Sequence, residues 1–458
     1  MRHNQQVAHN IRQIKEQVEA AESQDDLVKV IEGVAQHTGP LDYNDRASYA
    51  LAGLLLASLI YAFYVQLFDP LYYTLPTEII DTFFNIIIAN SSVWMPGLIS
   101  LYTVLWLDNN GKKYYLDQYI EQPVLRFATA AIIPALLLYP IQIWHRIYWG
   151  ALDTVGKAIG FSYDSALAGY GVMSCIILFI LWRYLSARSN WRRPVSSRIF
   201  LLDTLFNNDI EDISSQCADR YGQLYSRYAD FKRGNDTREL IALYQGHYKG
   251  DVHNFDFQIY HFHYVVKTTR TTTDSDGNTR TTTTRTSYYR HGLVLPFPFA
   301  QNLTLSSDGG VNGHGEKYKT ASTVFNKIFS VRAGSEMDAA RFLSPAVIEK
   351  LSTLKELVRR PVVEVSYDKQ LCLSFADDDL ITLRREHGLS NPTAFAEEIS
   401  GHADLKKLDS LLDLIHDLMR LSDNNFADKT THTFNSQPQA SVTEQAARQS
   451  TTHQSTTE

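Results

Sequence analysis

The sequence predicts an α+β protein in which a four-helix transmembrane region is followed by a cytosolic antiparallel-sheet domain with packed helices. Three observations carry this reading. Four long runs without Asp, Glu, Lys or Arg cover Tyr49–Phe68, Thr82–Leu107, Phe127–Trp144 and Ala166–Trp182. All six tryptophans lie between Trp94 and Trp191. Beyond them the apolar pattern changes to period two, in segments that flank strong turn residues. A helix rises about 1.5 Å per residue, so about 20 apolar residues cross a hydrocarbon core of about 30 Å. Tryptophan favours the headgroup level, and Trp106, Trp144, Trp149 and Trp182 sit at or beside the ends of the runs.

The whole-chain averages hide this division. With 44% apolar and 20% charged residues the composition is that of an ordinary globular protein. A net charge of −7 leaves no nucleic-acid partner expected. Cys175, Cys217 and Cys372 are scattered and odd in number, which excludes a disulfide framework and fits a reducing compartment. The expected divisions are 1–47 (N-terminal cytosolic helices), 48–185 (membrane region), 186–236 (helical connector), 237–423 (cytosolic α+β domain) and 424–458 (disordered polar tail).

In the first of these, Val7, Ile11, Ile14, Val18 and Ala21 form one apolar stripe. Leu27, Val30, Ile31 and Val34 form another after a polar break. As many acids as bases flank the stripes, so a hairpin packed on protein is expected rather than a helix lying on lipid. No cleavable signal is expected ahead of the first run, because Met1–Ala47 is mostly polar.

Loop charges orient the spans. The Asp69–Asp81 loop has no Lys or Arg, Asp108–Arg126 has Lys112, Lys113 and Arg126, and five arginines from Arg183 to Arg198 follow the last run. Basic loops stay in the cytoplasm, so four spans with both termini cytoplasmic are expected. Arg146 and Lys157 in the third loop oppose this. The fourth run carries two glycines, a serine and a cysteine, and is the one expected to span least securely. Asn85, Asn90, Ser91, Ser92, Pro96 and Gly97 interrupt the second run, and Pro134 and Pro140 mark the third. With no acid or lysine in any run, these read as helix contacts more than as a permeation path.

Past a polar, helix-compatible stretch from Ser196 to Gly246, Phe257–Thr269 and Thr281–Phe297 flank Asp274–Asn278 as a long hairpin. Strands are expected near Leu303 and near Phe325, the latter with Phe325 and Phe329 on one face. Helices are expected after Ser335 and at Ser344-Pro345, where serine caps and proline suits the first turn. Val362–Ser366 and Leu371–Phe375 form a second hairpin, and a helical stretch opens at Asn391-Pro392 with Leu405, Leu408, Leu412, Ile415 and Met419 on its apolar face.

The block Val324–Leu351 resembles a bacterial membrane-associated family known as "domain of unknown function 3137". The matching residues are Phe325, Phe329, Val331, Ala339, Leu343, Ser344 and Pro345, and the order of the flanking hairpins is similar over roughly Leu240–Leu380. The resemblance implies a soluble domain beside membrane spans. It implies no catalytic residue and no cofactor.

Chemical motifs are sparse. His261 and His263 share a strand face near His253, Asp251, Asp256 and His291, but the spacing is loose and such histidines more often pack than ligate. Asp377, Asp378 and Asp379 read as a solvated turn, and Gly309–Gly313 lacks the lysine and helix of a phosphate loop. No catalytic residue, metal or cofactor is expected. The favoured function is a scaffold or adaptor that binds the bilayer, a protein partner or a second copy of itself. A transport or channel component is the alternative. The candidate contact residues are Lys267, Arg270, Arg280, Arg285 and Arg290, crowded on the threonine-rich hairpin. These either protect its edges from pairing or meet anionic lipid or an acidic partner.

Overall fold

The computed structural model describes residues 3–67, 88, 90–114, 116, 119–120, 122–161, 165–273, 279–309, 311–313, 315–377 and 380–426. The Asp69–Asp81 loop, Asn85, the turn Asp274–Asn278, Gly310, Asp378, Asp379 and the tail from 427 lie outside these residues. The chain divides into two compact units: Met1–Asp212 with Asp378–Leu408, and Ile213–Asp377 with Asp409–Glu458.

In the first unit, α1 (His3–Glu19) and α2 (Gln24–Ala35) form from the two stripes. Ser23 opens α2, its side chain accepting from the Asp26 N–H. Val7, Ile11, Ile14, Val18, Leu27, Ile31 and Val34 are buried with Trp191, Val195, Ile199 and Leu202 and with Leu389, Phe395 and Ile399. The N-terminal hairpin therefore packs on its own chain.

The apolar runs appear as α3 (Arg46–Leu67), α4 (Ser91–Asn109), α5 (Pro123–Leu138), α6 (Gln142–Ala158) and α7 (Ser165–Ser189). They do not show the four equivalent spans expected. Among the described residues, α7 is the one helix long and apolar enough to cross a membrane alone. The pair α5 and α6, bent by 95°, is a second at most, and the apolar stretch Arg46–Ile60 is shorter. The reason in the third run is Pro140. It has no N–H to continue the helix, so the run breaks at the junction of α5 and α6. Pro134 stays inside α5.

The fourth run, expected to be the weakest, forms the longest helix of this region, 25 residues. One of its two glycines is a packing device: a Cβ on Gly169 would overlap the Leu152 carbonyl, and one on Gly156 of α6 would overlap the Ser165 carbonyl. Close backbone approach between α6 and α7 thus depends on both glycines. At one end of the region Trp106 Nε1 donates to the Tyr184 hydroxyl (2.7 Å), and Arg188 pairs with Asp45 (2.9 Å) while lying over Tyr43. Helix α8 (Arg192–Asn207) follows.

The sheet dominates the second unit. After β1 (Glu211–Asp212), which belongs to the first unit, its eight strands among the described residues are β2 (Arg238–Lys249), β3 (Asn254–Thr273), β4 (Thr279–Pro296), β5 (Leu303–Ser306), β6 (Glu316–Tyr318), β7 (Ser330–Ala333), β8 (Val362–Val365) and β9 (Gln370–Phe375). Their order is β2-β3-β4-β9-β8-β5-β7-β6, with antiparallel pairing throughout. Both expected hairpins are present. Strand β2 replaces the end of the helix-compatible stretch, whose helical portions are most of α8 and α9 (Cys217–Arg227). A bulge between Leu240 and Ala242 sets the buried Leu240 and Leu243 three residues apart, a spacing that imitates a helix.

One face of β2–β4 buries Leu243, Tyr260, Phe262 and Val294 with Leu224 of α9 and Phe231 of a short helical turn, Asp230–Lys232. Ile259, Leu293 and Leu373, on the other face by the alternation of side chains, are buried too.

Phe325 is not on a strand. It lies in α10 (Thr323–Ile328), capped by Ser322, and Phe329 ends that helix. Four residues make one helical turn, so the two rings still meet, 5.2 Å apart and almost fully buried. Helices α11 (Glu336–Phe342) and α12 (Pro345–Leu357) start at Ser335 and Ser344 as expected, each serine accepting from the backbone N–H three residues on. The C-terminal stretch is two helices, α13 (Pro392–Ile399) and α14 (Lys406–Phe426), with Leu408, Leu412, Ile415 and Met419 buried.

Candidate functional site: the basic hairpin and its base

Strands β3 and β4 pair without interruption from Gln258–Val294 to Thr273–Thr279. Their neighbours are much shorter. β2 ends opposite Tyr264, and β9 ends opposite His291. Asn235 continues the β3 edge for one more step, its side chain accepting from Lys267 N–H (2.6 Å) and donating to Lys267 O (2.9 Å). Beyond that point the hairpin is a two-stranded arm. Lys267–Thr273 is exposed, as is Thr279–Tyr289. At about 3.3 Å per residue the seven residues of β3 project about 23 Å.

Threonine explains why so solvated a ribbon keeps its conformation. β-Branched side chains favour the extended backbone, and facing pairs stabilise a ladder by about 0.2–1 kcal/mol each. Thr269 faces Thr283 and Thr271 faces Thr281, with hydroxyl separations of 3.4 and 3.3 Å.

The register sorts the expected contact residues. Lys267 lies opposite Arg285, on the face of Thr269 and Thr271. Arg270 and Arg280 lie on the other face, opposite Thr282 and Thr272. Arg285 Nε meets Asp236 at 2.8 Å. The arm therefore carries cations on both faces rather than one crowded patch.

Arg290 does not belong with them. It is 2% exposed, at the base of the arm. Its Nε lies 3.1 Å from Asp230, Nη2 donates to the Ser374 hydroxyl (2.7 Å), and both Nη atoms reach the Arg360 carbonyl at 3.2 Å. The register is the cause: Arg290 shares a pair with Phe262, on the face covered by Phe231, whereas Arg285 lies five residues farther out. Its assignment as a lipid or partner contact is corrected accordingly.

The sequence reading missed the rest of this base. Asp230 is bridged by Arg233 and Arg290 and accepts from the Ser374 hydroxyl, and Arg233 Nη2 lies 3.1 Å from Asp308. Glu364 on β8 accepts from the N–H groups of Ala229 (2.7 Å) and Asp230 (2.8 Å), so its carboxylate caps the turn Asp230–Lys232. Burial pushes the Glu364 carboxyl up to about 7, with the Asp230 charge adding to it. Burial also opposes ionisation of Asp230, but Arg290 and Arg233 outweigh it and hold this carboxyl below the usual range. Burial raises the Cys372 thiol well above its ordinary value, and the Tyr260 hydroxyl 3.4 Å from the sulfur is raised likewise. A neutral, enclosed thiol is a poor nucleophile. One signal was available in the sequence: Glu364 stands alone inside Val362-Val363-Glu364-Val365.

The histidines pack as a layer on the opposite face. The rings of His261 and His291 are 4.1 Å apart, His263 stacks on Tyr289 and meets Glu239 at 2.9 Å, and His253 meets Asp423 at 2.7 Å. Asp377 pairs with Arg359. Among the described residues no three His, Cys, Asp or Glu side chains are placed to hold a metal ion.

Comparison with protein-family models, with curated proteins and with solved structures returns no match for this chain.

Proposed function

We propose that the protein is a membrane-anchored adaptor whose basic arm docks on an anionic surface, with the inner leaflet of the bilayer as that surface. The observation that carries the docking role is the two-stranded arm itself, exposed on both faces and carrying Lys267, Arg270, Arg280 and Arg285. Anionic headgroups attract such cations by about 1 kcal/mol per residue near the surface, within a Debye length of about 10 Å at 0.1 M salt. The resemblance to the bacterial "domain of unknown function 3137" family is part of the same proposal.

Anchoring is supported by where apolar side chains meet the outside. Among the described residues, 24 of the 32 exposed large hydrophobic residues fall between Tyr49 and Trp182. Ile132, Ile133, Leu136, Leu137, Ile143 and Ile147 around the α5–α6 bend are examples. Water would make such a surface costly, and lipid would not. The finer reading is four spans in a bacterial inner membrane with both termini cytoplasmic. Reporter fusions at Thr77 and Glu458 should report the periplasm and the cytoplasm respectively. A periplasmic Glu458 would refute that orientation.

For docking, full-length protein in neutral-lipid nanodiscs should float with phosphatidylserine vesicles and be released by salt. Replacing Arg270, Arg280 and Arg285 by glutamine should abolish flotation. Equal flotation with neutral vesicles overturns the lipid reading. Capture of polyglutamate in place of vesicles would assign the arm to an acidic partner.

The 95° bend between α5 and α6 supports a second reading, a transport component in which the broken pair lines a path. Solute flux through liposomes that hold the purified chain would favour it over the adaptor.

A further inference from the structure

Three carboxylates and two guanidinium groups meet at the base of the arm: Asp230, Asp308 and Glu364 against Arg233 and Arg290. Asp230 and Glu364 are at most 3% exposed. Arg233 and Arg290 are engaged by Asp230 and Asp308, so among the described residues the negative charge of the enclosed Glu364 is met by the backbone N–H groups of Ala229 and Asp230 alone. Such a cluster relieves that charge by holding a proton.

The groups that face Glu364 come from every side. The turn Asp230–Lys232 brings Asp230 and, just beyond it, Arg233, and β4 brings Arg290 to the same Asp230. The exit of β5 brings Asp308 to Arg233. Strand β9 places Cys372 directly opposite Glu364, with the Tyr260 hydroxyl on its sulfur. Cys372 and Tyr260 are held neutral by burial and cannot supply the missing positive charge.

We infer that this cluster is a proton-operated clasp: a single proton held by one of its carboxylates keeps β4, β8, β9 and the turn Asp230–Lys232 together, and losing it loosens the base of the arm. Glu364 is the group that holds this proton, because Asp230 already has two arginines and Ser374, whereas Glu364 has only backbone N–H donors among the described residues. A carboxyl that binds its proton more tightly when folded stabilises the fold below its unfolded value, and that contribution disappears as pH rises through its folded value. The window therefore lies between the ordinary carboxylate range, about 4.5, and about 7.

Hydrogen exchange on the full-length protein in nanodiscs, corrected for intrinsic rates, reads this directly. Protection of Arg290–Leu295 and Ala229–Lys232 should fall by up to about tenfold per pH unit toward pH 7 and level off above it. Glu364→Gln should abolish the slope. Asp308→Asn removes one competing carboxylate and should move the levelling point to lower pH without deleting the proton holder. A slope that persists in Glu364→Gln, or a levelling point unchanged in Asp308→Asn, overturns the clasp. Control of docking by the clasp rests on the reading of the arm given above. Vesicle flotation should weaken above pH 7, and flotation without pH dependence beside an intact exchange slope would refute the control alone.

Discussion

The two halves of the β3–β4 hairpin share strands, register and a supply of arginines, yet they use them in opposite ways. At the base, Arg290 sits between Asp230, Ser374 and the Arg360 carbonyl, and both sheet faces are covered. Five residues outward, Arg285 meets one aspartate in solvent. The lesson is that an arginine on a strand cannot be interpreted from the strand alone. The length of the neighbouring strands decides: β9 stops opposite His291 and β2 opposite Tyr264, and every charge beyond these points is solvated.

The widest gap between the halves should appear on removing a charge. Arg290→Ala leaves Asp230 buried beside one guanidinium, a change that typically costs about 3–5 kcal/mol. Arg285→Ala breaks a solvated pair worth about 0.2–1 kcal/mol. Denaturation of the full chain followed by exchange in the second unit should separate the two by several-fold in midpoint shift. Equal shifts would mean that the base is not a distinct energetic region.

A similar loss, without charge, is expected at Phe329, which is 1% exposed against Phe325. Phe329→Ala should cost about 3–5 kcal/mol in the second unit and leave the first unit's protection unchanged. Loss of protection in α1 and α2 as well would break the independence of the units.

Smaller effects belong to the distal half. Arg270→Gln, Arg280→Gln and Arg285→Gln together should abolish vesicle docking while moving the thermal midpoint by no more than a few degrees. The smallest is the ladder: Thr271→Ala removes a cross-strand pair worth about 0.2–1 kcal/mol and should raise exchange only at the end of the arm. Spread of that change into β2 or β9 would show that arm and base are one cooperative piece.

Much of the fold was legible because local rules agree with it. Ser335 and Ser344 open helices where helix starts are expected, and both hairpins follow their period-two pattern. The failures have identifiable causes. The bulge in β2 gave a strand a helical spacing, and Phe325 and Phe329, four apart, fit one face of a strand as well as one turn of a helix. In the apolar region, composition reports hydrophobicity but not continuity. Pro140 divided one run, and Gly169 counted as weakness in the fourth run where, with Gly156, it allows α6 and α7 to touch. At the candidate site the exposed cations were visible and the buried cluster was not, because Arg290 and Glu364 reach the local Asp230–Arg233 pair only through pairings distant in sequence.

The return of residues 378–408 to the first unit has a practical consequence. The backbone passes from one unit to the other three times, so no single cleavage releases the sheet intact. A fragment beginning at Ile213 would carry Leu389, Phe395 and Ile399 without the α1, α2 and α8 side chains that cover them. Such a piece would present a bare apolar surface and aggregate. Removing 378–408 by joining Asp377 to Asp409 through a flexible linker should instead yield a dispersed protein.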